Sequence, residues 1–201
     1  TGGETPLGGE YWIPLLGRHQ LENAAAAVAT LDLLRQAEFD VSREAVERGL
    51  RDVEWPGRME ILSHDPLVVV DCAHNPYSAR TLRDALEEWF PDRSWVMVFG
   101  ASADKDIAGM LEGLVPISEY TIVTRADHPR AMAPIELADI VADVGSGAEV
   151  SLNVSKSLDR ALAVMDPGNG LLATGSIFLV ADLREAWARH TGLPLPEGDG
   201  E

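Results

Sequence analysis

Three polar residues follow an apolar run and precede a proline in the segment DCAHNP, residues 71–76. The apolar residues before them belong to the segment LVVVD (67–71), which is typical of a strand covered on both faces and ends at Asp71. A helix is predicted to begin at Pro76, and a helix N-terminus offers free N–H groups and partial positive charge to a phosphate. Asp71 can accept hydrogen bonds from ribose hydroxyls, and His74 can donate to a phosphate oxygen. Alternatively, Asn75 caps the helix and the other two are ordinary loop residues.

Two basic residues stand beside loop signals in a chain whose formal net charge is -17. Arg58 follows the breaker pair Pro56-Gly57, and its planar, permanently charged fork suits a phosphate. Lys105 lies in GASADKD after a predicted strand and can bind a carboxylate, while Asp104 or Asp106 caps the next helix. The alternatives are a surface salt bridge for Arg58 and a solvated loop charge for Lys105.

Two further places combine polar side chains with unusual local sequence. Gly175 and Ser176 interrupt an apolar stretch, where glycine permits close backbone approach and the hydroxyl can bind a ligand. The alternative there is a bulge or turn. Gln20 and Asn23 stand at the start of an Ala-rich helix, and Asn is a poor interior helix residue. Asn23 can read an adenine edge, or the pair can serve in N-terminal capping.

Apolar periodicity predicts the elements that carry these loops. Short apolar runs alternate with segments whose apolar residues recur every three or four positions, from residue 59 onward. This alternation predicts a Rossmann-like, mainly parallel α/β sheet with helices on both faces. The predicted strands are 59–63, 67–71, 95–99, 120–124, 150–152, 171–174 and 177–180. The predicted helices are 76–90, 107–114, 134–144, 155–164 and 183–190. Ligands of such sheets bind beyond the carboxyl ends of the strands, here after Asp71, Gly100, Thr124 and Thr174.

The first part of the chain is predicted to be a separate piece. Its predicted elements are a loop over the first ten residues, a strand at 11–16, a buried helix at 19–36 and a helix at 42–51. Ser42 is the expected N-cap of the last of these. Pro56 cannot continue a helix and Gly57 frees the backbone. The predicted divisions are 1–54, a Rossmann-like domain at 55–192 and a flexible tail at 193–201.

Composition narrows the function classes. The chain has 201 residues, of which 46% are hydrophobic, which favours a packed core over disorder. Its acidity argues against nucleic acid or an anionic membrane as a partner. A lone cysteine, Cys72, excludes an internal disulfide and fits the cytoplasm. We find no membrane-spanning run, signal peptide, nucleophile elbow, zinc spacing or GxGxxG, and the last absence disfavours an NAD-type oxidoreductase.

Several segments, in order along the chain, resemble the folylpolyglutamate synthases, including the bifunctional dihydrofolate synthases, of the Mur ligase superfamily. They are LGRHQLENAAAA (16–27), WPGRMEIL (55–62), VVVDCAHNP (68–76), GASADKDIAGML (100–111), HPRA (128–131) and ATGSIFLVADLR (173–184). The combination of PGR-x-E, D-x-AHNP and DKD is specific, although each alone is weak. Cys72 stands where the family often has glycine.

The resemblance implies an activity and its site. In that family ATP phosphorylates a folate carboxylate, and the amine of L-glutamate attacks the resulting acyl phosphate. The implied ATP-binding residues are Gln20, Asn23, Arg58, Asp71 and His74, the first two near the adenine and the others at the ribose and phosphates. The implied glutamate-binding residues are Lys105 and Ser176. Folate, glutamate and ATP are the implied partners, and the protein is expected to be a monomer.

The resemblance also implies that residues before about 53 are the helical end of a truncated P-loop ATPase domain. The P-loop and most Mg²⁺ ligands of the family lie upstream, and no P-loop motif occurs here. Because the chain begins with Thr1 and phosphoryl transfer needs positioned phosphates and metal, we expect a piece that is inactive alone. Two alternatives are a Mur-type ligase of peptidoglycan precursors, against which DKD and HPRA argue, and a non-catalytic nucleotide-binding module.

Overall fold

A computed structural model describes residues 7–195, which belong to two compact units, one ending at Pro56 and the other beginning at Gly57. The first six residues of the predicted loop and the predicted flexible tail beyond residue 195 lie outside the described residues. Within the described range, no helix is long and apolar enough to cross a membrane.

The first unit contains two helices, α1 (Arg18–Gln36) and α2 (Arg43–Arg51). Both helices were predicted, and the Ser42 cap is confirmed because its Oγ accepts a hydrogen bond from the backbone N–H of Ala45 at 3.1 Å. The predicted strand at 11–16 is wrong, since this segment has no regular structure. A strand needs a hydrogen-bonded neighbour, and the described part of this unit contains none.

The prediction that α1 is buried is also wrong. Its buried residues are Gln20 and Asp32, whereas Leu21 and Leu33 are 59% and 64% exposed. The abundance of Ala and Leu indicated a helix correctly, but composition does not say how many sides of a helix are covered. In the described unit, the apolar residues of α1 extend around more of its surface than neighbouring segments cover.

The second unit is built on a six-stranded sheet. Its strands are β1 (Glu60–His64), β2 (Leu67–Asp71), β3 (Trp95–Phe99), β4 (Ser118–Val123), β5 (Glu149–Val150) and β6 (Gly170–Thr174), in the order β1-β2-β6-β3-β4-β5. All neighbours are parallel except β1, which runs antiparallel to β2. The predicted mainly parallel sheet is confirmed.

Helices cover both faces of this sheet, as predicted. They are α3 (Pro76–Trp89), α4 (Ile107–Leu114), α5 (Pro134–Asp143), α6 (Val154–Val164) and α7 (Ile177–Thr191), with a short 3₁₀ turn at Val115–Ile117. α3 packs against α4 on one face, and α6 packs against α7 on the other. Strands β2, β3 and β6 are buried at every residue, which explains their continuous apolar runs.

The predicted strand at 177–180 is wrong, because helix α7 begins at Ile177. The residues IFLV favour a strand locally, since β-branched and aromatic side chains fit a pleated surface. The two residues before them decide otherwise. Gly175 turns the chain at φ 113°, and the Oγ of Ser176 accepts a hydrogen bond from the N–H of Phe178 at 3.1 Å. The Gly-Ser pair is therefore a helix cap rather than a strand bulge.

Candidate functional site

Most of the predicted site residues meet at one edge of the sheet. Asp71 ends β2 and His74 lies in the loop after it, while Lys105 follows β3 and Ser176 follows β6. Because these strands are parallel, their carboxyl ends share an edge. The antiparallel β1 begins at that same edge, since its first residue pairs with Val70 near the end of β2. Arg58, two residues before β1, therefore joins the group.

Arg58 is half-buried in a tight turn. Its guanidinium makes no hydrogen bond or ion pair with any residue in the described range 7–195. The residues on either side have left-handed backbones, Gly57 at φ 72° and Met59 at φ 44°. For a residue with a side chain this conformation costs about 1–2 kcal/mol. Such strain persists only where the surroundings fix it, and it is often found at functional sites.

Asp71 supplies part of that fixation. One carboxylate oxygen accepts a hydrogen bond from the N–H of Met59, and the other accepts one from the N–H of Ala73, both at 2.8 Å. The side chain is buried. Asp71 therefore braces the Arg58 turn against the loop after β2, and its predicted contact with ribose stays a prediction.

His74 stands at the entrance to a fully capped helix. The side chain of Asn75 accepts from the N–H of Ser78 at 2.8 Å, so the capping role given to Asn75 in the alternative interpretation is correct. The Ser78 hydroxyl accepts from the N–H of both Asn75 and His74. The exposed ring of His74 has Nδ1 3.0 Å from the carbonyl oxygen of Cys72. A carbonyl can only accept, so Nδ1 carries a hydrogen. Nε2 can then donate to a phosphate only when the ring is protonated.

Lys105 lies on the loop between β3 and α4. Its Nζ is 3.1 Å from the carboxylate of Asp104, and both side chains are substantially exposed. A hydrogen bond from Lys105 lowers the pKa of the Asp104 carboxyl. Asp106, not Asp104, caps α4, because it accepts a hydrogen bond from the N–H of Gly109 at 3.0 Å.

Ser176 borders a shallow cleft made mostly of small residues. The cleft is lined by Gly100, Ala101, Ser102, Ala126, Ala131, Ser176 and Phe178. Since the Oγ of Ser176 accepts the capping hydrogen bond of α7, its own O–H remains a donor. Gly100 matters here, because a Cβ at this position would lie 2.7 Å from the carbonyl oxygen of Thr124.

Two basic residues beside this cleft were not predicted as site residues. The ring of His128 stacks on Phe178 with centroids 3.6 Å apart, and the guanidinium of Arg130 lies 5.7 Å from the centroid of the Phe178 ring. Backbone hydrogen bonds join their loop to the loop after β3, from Ala103 to the oxygen of Arg130 at 3.0 Å. Both residues belong to the segment HPRA (128–131), which contributes to the family resemblance but does not by itself indicate a site.

Cys72 packs under the Arg58 turn. Its backbone N–H donates to the carbonyl oxygen of Gly57 at 2.9 Å. Burial raises the pKa of the Cys72 thiol to about 11, and the charge of Asp71 acts in the same direction. The thiol is therefore neutral near pH 7 and acts as a small apolar side chain.

Gln20 and Asn23 belong to the first unit. The side-chain amide of Asn23 donates to the side-chain oxygen of Gln20 at 3.1 Å, and Gln20 is buried. The capping alternative for this pair is wrong, because the N-cap of α1 is Gly17 and no side chain caps it. Their predicted place near an adenine stays a prediction.

The described residues contain no group of three or more His, Cys, Asp or Glu side chains that could hold a metal ion. No magnesium ligands are therefore assigned among residues 7–195.

Fold and site together define a Rossmann-like α/β domain whose sheet carries, at the carboxyl ends of its parallel strands, an arginine with no hydrogen-bond or ion-pair partner in the range 7–195. The chain belongs to the Mur ligase family: residues 57–177 match the family described as Mur ligase, glutamate ligase domain. The family resemblance drawn from the motifs is thereby confirmed.

Known relatives agree with this assignment. The chain is 38% identical over 178 residues to a probable bifunctional folylpolyglutamate synthase/dihydropteroate synthase of Haloferax volcanii, covering 88% of this chain and 21% of that protein. It is 30% identical over 204 residues to the dihydrofolate synthase/folylpolyglutamate synthase of Mycobacterium tuberculosis, covering 91% and 42%. The chain thus spans less than half the length of these relatives.

A solved structure extends the likeness to three dimensions. It is Mycobacterium tuberculosis folylpolyglutamate synthase complexed with ADP and AMPPCP. The match has a TM-score of 0.80 at 29% identity and covers 96% of this chain and 45% of that one.

Proposed function

We propose that this chain forms part of an ATP-dependent ligase that adds L-glutamate to a folate or to dihydropteroate. One observation carries the proposal: Arg58, whose guanidinium has no hydrogen-bond or ion-pair partner among residues 7–195, shares a single sheet edge with His74, Lys105 and Ser176. The names of the two relatives support the choice of substrates, since both include folylpolyglutamate synthase and the Mycobacterium tuberculosis protein is also a dihydrofolate synthase.

The proposed reaction has two steps. The γ-phosphoryl group of ATP passes to a folate carboxylate, which gives an acyl phosphate and ADP. The amine of glutamate then attacks the acyl carbon and loses a proton, and the tetrahedral intermediate collapses as its bond to phosphate breaks. The products are an amide and inorganic phosphate.

Arg58 and His74 act on the phosphates in this proposal. Arg58 carries a permanent charge and has no protein partner within residues 7–195 that a phosphate would have to displace. His74 contributes through Nε2 when protonated, because its Nδ1 hydrogen is committed to Cys72. Cationic groups fixed beside a transferring phosphoryl group stabilise its transition state. In the same proposal Asp71 binds the ribose, and Gln20 and Asn23 lie near the adenine.

Lys105 and Ser176 act on the glutamate. Lys105 has an ammonium group with three hydrogens, of which Asp104 engages one. Ser176 offers its hydroxyl hydrogen from the first turn of α7, where the helix also presents unpaired N–H groups. Both are donors, as recognition of a carboxylate requires.

Residues 1–54 correspond in this proposal to the end of the ATPase domain and residues 55–192 to the Rossmann-like domain. The protein is a cytoplasmic monomer. ATP is the phosphoryl donor, and the Mg²⁺ that accompanies it takes its ligands from outside residues 7–195. The chain is therefore inactive in isolation.

The experiment measures incorporation of labelled L-glutamate into tetrahydrofolate and into dihydropteroate, with ADP release, in the natural protein that carries this chain. We expect incorporation in wild type and a loss of at least about tenfold in kcat/KM for ATP in Arg58→Ala and His74→Ala. Arg93→Ala is the matched control, because Arg93 precedes β3 at the opposite edge of the sheet. Its activity should equal that of wild type.

Three results contradict the proposal in different ways. Wild-type turnover in both site variants removes the phosphate role. Transfer of another amino acid to a peptidoglycan precursor, in place of glutamate to a folate, replaces the substrate class. Nucleotide binding by the natural protein without any ligation favours a non-catalytic module.

A further inference from the structure

We propose that Glu60 is a positioning residue, which together with Arg184 holds the turn that presents Arg58 to the nucleotide. The inference rests on the proposed function and goes beyond it, since neither residue was among the predicted site residues. Glu60 is the acidic residue of the PGR-x-E motif, and Arg184 lies 124 positions further along the chain.

Glu60 contacts the turn and helix α7 at once. One carboxylate oxygen accepts from the N–H of Gly57 at 2.7 Å and lies 3.0 Å from the Nε of Arg184, whose distance to the other oxygen is 3.2 Å. The side chains of Arg184 and Glu60 are only 24% and 23% exposed. Water therefore screens this pair less than it screens an exposed ion pair.

The turn is held on both sides of Arg58. Glu60 binds the N–H of Gly57, and Asp71 binds the N–H of Met59 at 2.8 Å. Gly57 and Met59 have left-handed backbones, so the two hydrogen bonds act where the backbone conformation is least favourable. Arg58, between them, has no partner within residues 7–195. Two carboxylates thus order the backbone on both sides of Arg58.

The other partner of the ion pair, Arg184, belongs to a different element from the Arg58 turn. Arg184 lies in α7, the helix that Ser176 caps. The ion pair thus ties the turn that carries Arg58 to the helix that begins at the proposed glutamate-binding hydroxyl. A functional group is held accurately when the residues around it are themselves locked. Loss of the Glu60 charge should therefore loosen Arg58 without removing any group that touches the nucleotide.

The test uses Glu60→Gln in the natural protein. Glutamine keeps the shape and can still accept from Gly57, but it loses the charge that faces Arg184. We expect the KM for ATP to rise about five- to twentyfold and the Kd for ATP to rise by a similar factor, with the KM for glutamate changed less than twofold. Glu149→Gln is the matched control, since Glu149 pairs with Arg160 at the far edge strand β5. It should leave all three constants unchanged.

A double-variant cycle separates positioning from general stability. If Glu60 acts through Arg58, adding Glu60→Gln to Arg58→Ala should change the Kd for ATP by less than twofold. Arg184→Gln, which leaves the bond from Gly57 to Glu60 in place, should shift the Kd in the same direction and serves if Glu60→Gln does not fold. Effects that multiply independently, or a lower melting temperature with unchanged nucleotide constants in both variants, overturn the inference.

The Kd arm also separates this inference from the proposed function. Wild type that binds ATP but transfers no glutamate contradicts the proposed reaction, while the nucleotide affinities of the variants still judge the brace. Wild type that binds no ATP overturns both.

Discussion

The sulfur of Cys72 occupies the space in which a side chain at position 57 would begin. An ideal Cβ on Gly57 would lie 2.6 Å from this sulfur and 3.2 Å from a methyl carbon of Val180. Gly57 also has a φ of 72°, where side chains are disfavoured. Steric contact and backbone conformation therefore both require glycine before Arg58.

Gly57→Ala should lower the free energy of unfolding by about 2–4 kcal/mol, which combines left-handed strain with overpacking. Urea unfolding measures it. Gly145→Ala is the matched control, because Gly145 has a φ of 86° and, apart from its two chain neighbours, no residue in the range 7–195 has an atom within 4 Å of the added carbon. It should show only the conformational part, about 1 kcal/mol.

Adding Cys72→Gly to Gly57→Ala should recover part of the stability that Gly57→Ala loses. Equal losses in the two alanine variants would show that the sulfur contact is irrelevant.

The thiol of Cys72 should resist alkylation in the native protein. Burial raises its pKa from an ordinary 9.0 to about 11, so the reactive thiolate falls about a hundredfold at pH 8. Its raised native pKa contributes stability that is present below about pH 9 and lost as the pH rises from there through about 11. Labelling with iodoacetamide, with and without urea, measures the reactivity. A native rate equal to the unfolded rate would contradict this assignment.

The sheet could be predicted from the sequence where its strands are covered on both faces. Strands β2 and β3 begin and end at the predicted residues. Their apolar runs are short and are bounded by Gly, Pro or polar residues, and this combination favours a buried strand over a buried helix. Helix α4 also has its predicted bounds, and its N-cap is Asp106, one of the two aspartates that the sequence offered for that role.

The prediction failed where local preference and tertiary context disagree. Ile177 to Val180 favour a strand by residue type, yet the capping hydrogen bond of Ser176 and the turn at Gly175 start a helix there. Segment 11–16 has the apolar character of a strand but no neighbouring strand in the described unit. The residue types of a segment show neither whether a preceding cap starts a helix there nor whether another strand lies beside it.

The candidate site could be predicted in part. The rule that ligands bind at the carboxyl ends of parallel strands selected the loops of His74, Lys105 and Ser176. The brace between Glu60 and Arg184 could not be predicted, because 124 positions separate the partners and no spacing links them. Such contacts depend on the strand order of the sheet, which local sequence does not determine.

The cap of α3 should matter for binding as well as stability. Asn75→Ala removes the bond from the N–H of Ser78 and should lower the free energy of unfolding by about 1 kcal/mol. Asn153→Ala is its matched control, since Asn153 caps α6 by accepting from Lys156 at 2.9 Å and precedes a helix of the opposite face. Both variants should lose similar stability in urea. Only Asn75→Ala should weaken ATP binding, because the cap orders the loop of His74, and equal ATP affinities would contradict that.

Thr174 should tolerate loss of its hydroxyl. It is fully buried at the end of β6, and its Oγ has no hydrogen-bond partner among the described residues. An unpaired buried hydroxyl costs about 1–3 kcal/mol, so Thr174→Val, which keeps the shape, should leave the free energy of unfolding unchanged or raise it by about 1 kcal/mol. Thr121→Val is the matched control, because Thr121 is equally a buried strand residue but its hydroxyl lies 3.4 Å from that of Ser118.

The control should lose about 0.5–1.5 kcal/mol in urea unfolding. A comparable loss in Thr174→Val would mean that its hydroxyl is paired in solution. The position of Thr174 gives the variant a second use, because its strand neighbours are Asp71 and Phe99 and the next residues are the cap of α7. Since this hydroxyl is sealed from solvent, Thr174→Val should leave the KM for glutamate unchanged. A raised KM with full stability would mean that the end of β6 rearranges when substrate binds.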